Sequence, residues 1–154
     1  GLGITTAVAA IQSGASGSVV AFEGAKERYE DLRRTIKYNG LEDQVLSHHS
    51  IVAEANTLYG SSNGSNLTQV EEIPDCDVLE LDCEGAEIGI LKNIDTYPEY
   101  LIVESHGLYD APTHEVEKLI ESMPYTILSK EIAVKDYRED CEEYDIYVLT
   151  ARQT

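Results

Sequence analysis

The sequence predicts an α/β fold: a mostly parallel, doubly wound sheet finished by an antiparallel pair of strands near the C-terminus. Two observations lead there first. Short apolar runs alternate with segments of helical periodicity along most of the chain, the pattern of a parallel sheet covered by helices. The runs are continuously apolar, as strands buried on both faces are. A third observation sets the ending. Two strand-like runs, Tyr125–Val134 and Asp145–Ala151, are joined by the acidic Lys135–Tyr144 with no helical pattern between them, and directly joined strands pair antiparallel.

The elements follow in order. Ile4–Ser13 reads as an Ala-rich helix closed by Gly14, a residue suited to a left-handed cap. Val19–Phe22 is a compact apolar run ending at Glu23. From Lys26 to Tyr38, Tyr29, Leu32 and Ile36 recur at helical spacing, and Asn39-Gly40 ends the helix. Val45–Ala53 is a weaker strand interrupted by His48-His49, which alternation sends to opposite faces and so bars from joint chelation. Gly60–Asn66 offers nothing to pack and reads as a solvent loop; its triplets at Asn63 and Asn66 read as loop chemistry rather than glycosylation sites. Val78–Leu81 is a strand, Gly85 turns the chain, and the next helix carries Glu87, Ile90, Leu91 and Ile94. Tyr100–Ser105 is a further buried strand, and Thr113–Met123 a helix with Val116, Leu119, Ile120 and Met123 inward. The chain opens on Gly-Leu-Gly, a turn that normally follows a strand. A central strand is therefore expected upstream of Gly1, because an open seam would leave strand edges unpaired.

At 154 residues the chain fits one domain, 1–154. Its 29 acidic against 11 basic residues give a net charge of −18. That excess disfavours nucleic acid, whose binders need cations to displace counterions, and disfavours anionic membrane surfaces. Apolar periodicity rejects disorder. Few lysines, a single Phe and no Trp fit adaptation to a salt-accumulating host, where screening shrinks to a few ångströms. No apolar run approaches the roughly 20 residues of a membrane span. Cys76, Cys83 and Cys141 form an odd set without metal or disulfide spacing; each reads as a small packed residue in a reducing cytoplasm.

The chemistry concentrates in two places. Gly1-Leu-Gly3 opens a helix with free amides and close backbone approach. Glu23, at the end of the next strand, is placed to accept hydrogen bonds from ribose hydroxyls. Nicotinamide and S-adenosylmethionine cofactors share this geometry. Thr6 stands where a pyrophosphate fingerprint wants a third small residue, and the antiparallel ending departs from the dinucleotide fold, so both points favour S-adenosylmethionine. The second place is Asp77–Glu87, where an apolar strand ends in Asp82 and Glu84 beside Glu87. Such crowded carboxylates repel unless something cationic meets them, and strand carboxyl ends are where α/β sheets bind ligands. Asp82 alternatively caps the following helix. His106 is the best-placed base, with an ordinary pKa of roughly 6.5, and Glu84 and Glu104 could orient it or contact an acceptor. Asp82, Glu84, Glu104 and His106 could alternatively collect a divalent cation, but their spacing matches no defined cage, so no metal is expected.

Four segments carry a resemblance: Gly-Leu-Gly, Val-Val-Ala-Phe-Glu-Gly, Leu-Asp-Cys-Glu-Gly-Ala-Glu followed by Ile-Leu, and Ile-Val-Glu-Ser-His. Together they resemble the FkbM-type family of S-adenosylmethionine-dependent methyltransferases from Gly1 to His106; Asp-x-Glu-Gly-x-Glu, Asp82 to Glu87, is the specific part. The resemblance implies a Rossmann-like class I methyltransferase fold and O-methylation of a hydroxyl on a sugar or small natural product. It implies that Gly1 and Gly3 line the methionine end of the cofactor and that Glu23 holds the ribose. Ser50 or Ile51, just after the third strand of that fold, would lie near the adenine. Asp82 would sit close to the sulfonium, so that Gly3, Glu23 and Asp82 meet at one rim. The chain departs from the family in lacking the strand before Gly1 with its customary acidic residue, and beyond His106 it matches no motif. The rival readings are an NAD(P)-dependent oxidoreductase and a non-catalytic Rossmann-like interaction domain.

Overall fold

A computed structural model of the chain describes residues 2–53 and 64–154. They form two compact units, Gly1–Gln69 and Val70–Thr154.

The first unit holds α1 (Ile4–Ser13), β1 (Val19–Glu23), α2 (Lys26–Tyr38), β2 (Val45–Ala53) and β3 (Asn66–Gln69). Its sheet runs β1-β2-β3, all parallel. The first four elements begin and end where apolar periodicity and the Gly14 and Asn39-Gly40 stops place them. Ala7 and Ala10 on α1 meet Leu32 and Ile36 on α2 over Leu41 and Val45. Small residues at i and i+3 on one helix against branched ones at i and i+4 on the other let the two helices approach closely. The adjoining face of α1 leaves Ile4, Val8 and Ile11 more than half exposed.

β3 corrects the loop expected over Gly60–Asn66: Asn66 starts a strand, while 60–63, including Asn63 itself, lie outside the described residues. Its polar Asn-Leu-Thr-Gln sequence carries no apolar signal. It is held by the backbone ladder to β2 and by Ser50, whose hydroxyl lies 2.6 Å from that of Thr68 and donates to the Asn66 carbonyl at 3.1 Å.

The second unit holds β4 (Val78–Leu81), α3 (Glu87–Asn93), β5 (Tyr100–His106), α4 (Thr113–Ser122), β6 (Tyr125–Ile132), α5 (Arg138–Tyr144) and β7 (Ile146–Gln153). Its sheet order is β4-β5-β7-β6; β4 and β5 are parallel, and β7 runs antiparallel to both neighbours. The antiparallel ending is as expected, but α5 corrects the absence of a helix in Lys135–Tyr144. One buried side chain, Cys141, anchors that acidic segment, Arg138 pairs with Glu142 one turn on, and Asp145 ends it in a left-handed conformation. A helix with a single inward residue leaves almost no periodicity to read. Leu101, Val103, Val116, Ile120 and Leu149 are fully buried, each stabilising by roughly 1.5–3 kcal/mol. Asp145 also starts α4: its carboxylate accepts from the Thr113 amide at 2.8 Å and from the Thr113 hydroxyl at 2.7 Å.

Among the described residues, no helix is long and apolar enough to cross a membrane.

Candidate functional site

The chemistry-bearing side chains of the second unit gather at the carboxyl ends of β4 and β5. After β4 the backbone doubles back through Glu84 and Gly85, at φ 49° and 112°. A side chain at Gly85 would meet the Tyr109 carbonyl oxygen at 2.4 Å, so only glycine fits. This turn swings Glu87, the first residue of α3, inward. Glu87 is fully buried, and its carboxylate accepts from the Cys83 and Gly85 amides, each at 2.8 Å.

Glu104 and His106 lie two apart on β5 and therefore share a face. His106 is the last residue of that strand rather than the residue after it. It is 6% exposed, and its Nδ1–H donates to Glu87 Oε1 at 2.9 Å. That bond points Nε2 at Asp82 Oδ1 and Glu104 Oε1, each 3.5 Å away. Burial alone would pull the imidazole pKa down. Hydrogen bonding to Glu104 and Glu87, with the charges of Glu87 and Asp82, outweighs it and pushes the pKa up to about 10. The pKa of Asp82 is raised by burial and by the charge of Glu104, although its side chain is 58% exposed. Glu87 is lowered: burial opposes ionisation, but the hydrogen bonds from His106 and the backbone prevail. At neutral pH the cluster is an imidazolium ringed by carboxylates.

The structure thus brings Asp82 and His106 together. Glu84 stands at the exposed start of the turn, where its charge raises Asp82 further. One role escaped the sequence reading: Glu87, whose direction spacing alone does not fix, is the buried partner of the imidazole. Of the four residues weighed from the sequence as a cation set, Asp82, Glu104 and His106 each offer one ligand atom within 4.8 Å of the others. Strand alternation was the available signal for Glu104 and His106, but the third member arrives through sheet pairing, which spacing does not reveal.

In the first unit, Gly1 lies outside the described residues. Gly3 precedes α1 at φ 78°, and a Cβ there would come within 2.8 Å of the Leu32 side chain, so its bareness serves helix packing as well as any ligand. Glu23 ends β1, and its carboxylate accepts from the Ala25 amide at 2.8 Å across the turn into α2. Ser50 and Ile51 lie within β2 rather than after a strand: Ser50 is buried against β3, and Ile51 fills the space beside Gly24. His48 stacks on Phe22 and His49 on Tyr29, so the adjacent pair serves packing on separate partners. Cys141 is buried and Cys83 half-buried, as expected, whereas Cys76 is exposed.

No protein-family model matches this sequence, and no curated protein matches it. Solved structures do. A protein of the NADB-Rossmann superfamily from Streptococcus agalactiae is 14% identical with a TM-score of 0.54, over 93% of this chain and 54% of that one. A candidate rRNA methylase from Clostridium thermocellum is 12% identical with a TM-score of 0.63, over 99% and 82%. A candidate tRNA (m1A22) methyltransferase from Streptococcus pneumoniae, solved with S-adenosyl-L-methionine, is 12% identical with a TM-score of 0.55, over 98% and 62%. The chain spans about half the length of the Streptococcus agalactiae protein. At these identities the likeness concerns the fold: the chain has the Rossmann-like fold of class I methyltransferases.

Proposed function

We propose that the chain is an S-adenosylmethionine-dependent methyltransferase of FkbM type, acting as one domain on a hydroxyl of a sugar or small natural product. The observation that carries this reading is the meeting of Asp82 and His106 at the carboxyl ends of adjacent parallel strands, where α/β sheets bind ligands. The anionic surroundings suit a cationic cofactor: burial and the charges of Asp82 and Glu104 raise the pKa of Glu80, and burial and the charge of Glu104 raise that of Asp82. When bound, S-adenosylmethionine supplies a methyl group activated by its sulfonium charge. Gly1 and Gly3 would line its methionine end, Glu23 its ribose, and Ser50 or Ile51 its adenine. Asp82 places negative charge near the sulfonium, which favours a cation electrostatically. Asp82 and His106 form the reacting centre as an ion pair. The ring of carboxylates keeps the imidazole's own proton in place at neutral pH, so the raised Asp82 carboxylate takes the transferred one, and Glu84 contacts the acceptor.

A small-molecule or glycan acceptor fits the net charge of −18 better than nucleic acid does, although similar folds include candidate RNA methylases. Three free cysteines fit a reducing cytoplasm. The acidic composition fits a salt-accumulating host, for which thermal stability should rise on adding molar KCl; an unchanged melting temperature would count against it.

The test is calorimetric titration of S-adenosylhomocysteine into the chain. Glu23→Ala should weaken binding by about 1–3 kcal/mol, the loss of hydrogen bonds to a charged acceptor; unchanged affinity removes that role. Binding of NAD(H) in place of the nucleoside would favour the oxidoreductase, and a melting temperature indifferent to both would favour a non-catalytic domain. Mass spectrometry of products from a panel of glycans, small molecules and RNA identifies the acceptor.

A further inference from the structure

We propose that Asp82, Glu104 and His106 bind a first-row divalent cation such as Mn²⁺ or Zn²⁺, with Glu87 orienting the histidine from behind. All of these side chains belong to the second unit, so the proposal needs nothing from the first. Its existence is independent of methyl transfer; only its use in activating an acceptor rests on that reading.

An acidic patch alone would not justify this. The distinguishing feature is the histidine. His106 is more than nine-tenths buried, and its Nε2 faces two carboxylate oxygens at 3.5 Å. A closed charge-assisted hydrogen bond between such groups measures about 2.7–2.9 Å, so at 3.5 Å the imidazole is aimed into the cluster and pairs only loosely with each acid. Two bonds of roughly 2.0–2.2 Å, meeting at a tetrahedral angle, hold their ligand atoms about 3.4 Å apart. The observed separations match that edge. The third separation, within 4.8 Å, closes by rotation of Asp82, whose side chain is exposed.

The second observation is Glu87. Metal-binding histidines characteristically donate their other ring N–H to a carboxylate, which fixes the tautomer and the ring plane. His106 does so at 2.9 Å, to a carboxylate itself fixed by two backbone amides; an ion that takes Nε2 displaces that nitrogen's proton to solvent, while the Nδ1 proton stays on the bond to Glu87. A surface ion pair needs no such support.

One nitrogen and two carboxylate oxygens suit Mn²⁺, Fe²⁺ or Zn²⁺ better than the all-oxygen shells of Mg²⁺ and Ca²⁺. Three protein ligands leave positions open, as reactive rather than structural sites do. A hydroxyl oxygen seated there would lose its proton more readily.

The test measures Mn²⁺ by loss of the free-ion paramagnetic resonance signal, using the metal-stripped chain in 1 M KCl to screen its diffuse charge. The expected result is one saturable site per chain, weakened at least tenfold by Asp82→Asn and by Glu104→Gln and unchanged by Glu121→Gln, an exposed acid elsewhere in the unit. Far-ultraviolet circular dichroism checks that each variant is folded, and exposed Asp82 is the substitution least able to disturb folding. Absence of saturable binding, full binding in both Asp82→Asn and Glu104→Gln, or equal weakening by Glu121→Gln would overturn the proposal. S-adenosylhomocysteine titrated into the same samples keeps the two readings apart, since either ligand can bind while the other fails.

Discussion

The ends of β1 and β4 look alike in sequence: an apolar strand, an acidic residue, a glycine turn, a helix. They are built for different work. At the first, Glu23 accepts from the Ala25 amide and Gly24 makes room for Ile51. At the second, the turn drives Glu87 into the core, and Asp82, Glu87 and Glu104 surround one imidazole. The difference teaches that an acid at a strand end carries little information by itself. Crowding of like charges around a buried base is the informative feature, because it stores a demand for positive charge.

The largest expected effect that separates the two is on folding. Glu87→Ala strands an imidazolium and two amides in the interior and should cost about 3–5 kcal/mol in urea unfolding near pH 6. A loss below 1 kcal/mol would mean that the second turn is no more demanding than the first.

Next comes pH. In metal-free protein, His106 with its raised pKa contributes stability that is complete below the unfolded value of roughly 6.5 and is lost as pH climbs toward about 10. Glu87, lowered, contributes stability present above its unfolded value of roughly 4.5 and lost on acidification. Stability should peak between those limits and fall by about 2–4 kcal/mol from pH 6 to pH 10, since each tenfold change in proton affinity is worth roughly 1.4 kcal/mol. Denaturant midpoints that stay flat across that range would contradict the imidazolium assignment.

Smaller still, Glu23→Ala should cost no more than about 1 kcal/mol of stability, the net worth of one hydrogen bond near the surface; a larger loss in thermal unfolding would make the first turn a core element too. Smallest is Asp82→Asn. Its raised pKa marks a charge held at a disadvantage, and solvent screening limits the relief to about 0–1 kcal/mol. The variant should unfold at an equal or slightly higher denaturant concentration. A clear loss would show that Asp82 stabilises the fold.

Apolar periodicity made most elements legible, including the bounds of α1, α2 and β2. It failed at β3, whose Asn-Leu-Thr-Gln is held by backbone pairing and a Ser50–Thr68 contact, and at α5, where Cys141 alone points inward. The site was half legible. Asp82 and His106 announced themselves as polar residues ending apolar strands. Glu87 did not, because its direction depends on the left-handed turn at Glu84 and Gly85; Glu104 was legible beside His106 by strand alternation, but its closeness to Asp82 was not.

The sheet order β4-β5-β7-β6 has a consequence for synthesis. His106 pairs with Ile146, and Ser105 bonds to Tyr147, 42 positions later in the chain. While the polypeptide is still being made, β5 therefore lacks its second partner in the sheet. Whatever this pocket holds, the β7 side of its wall is completed only once β7 has emerged from the ribosome.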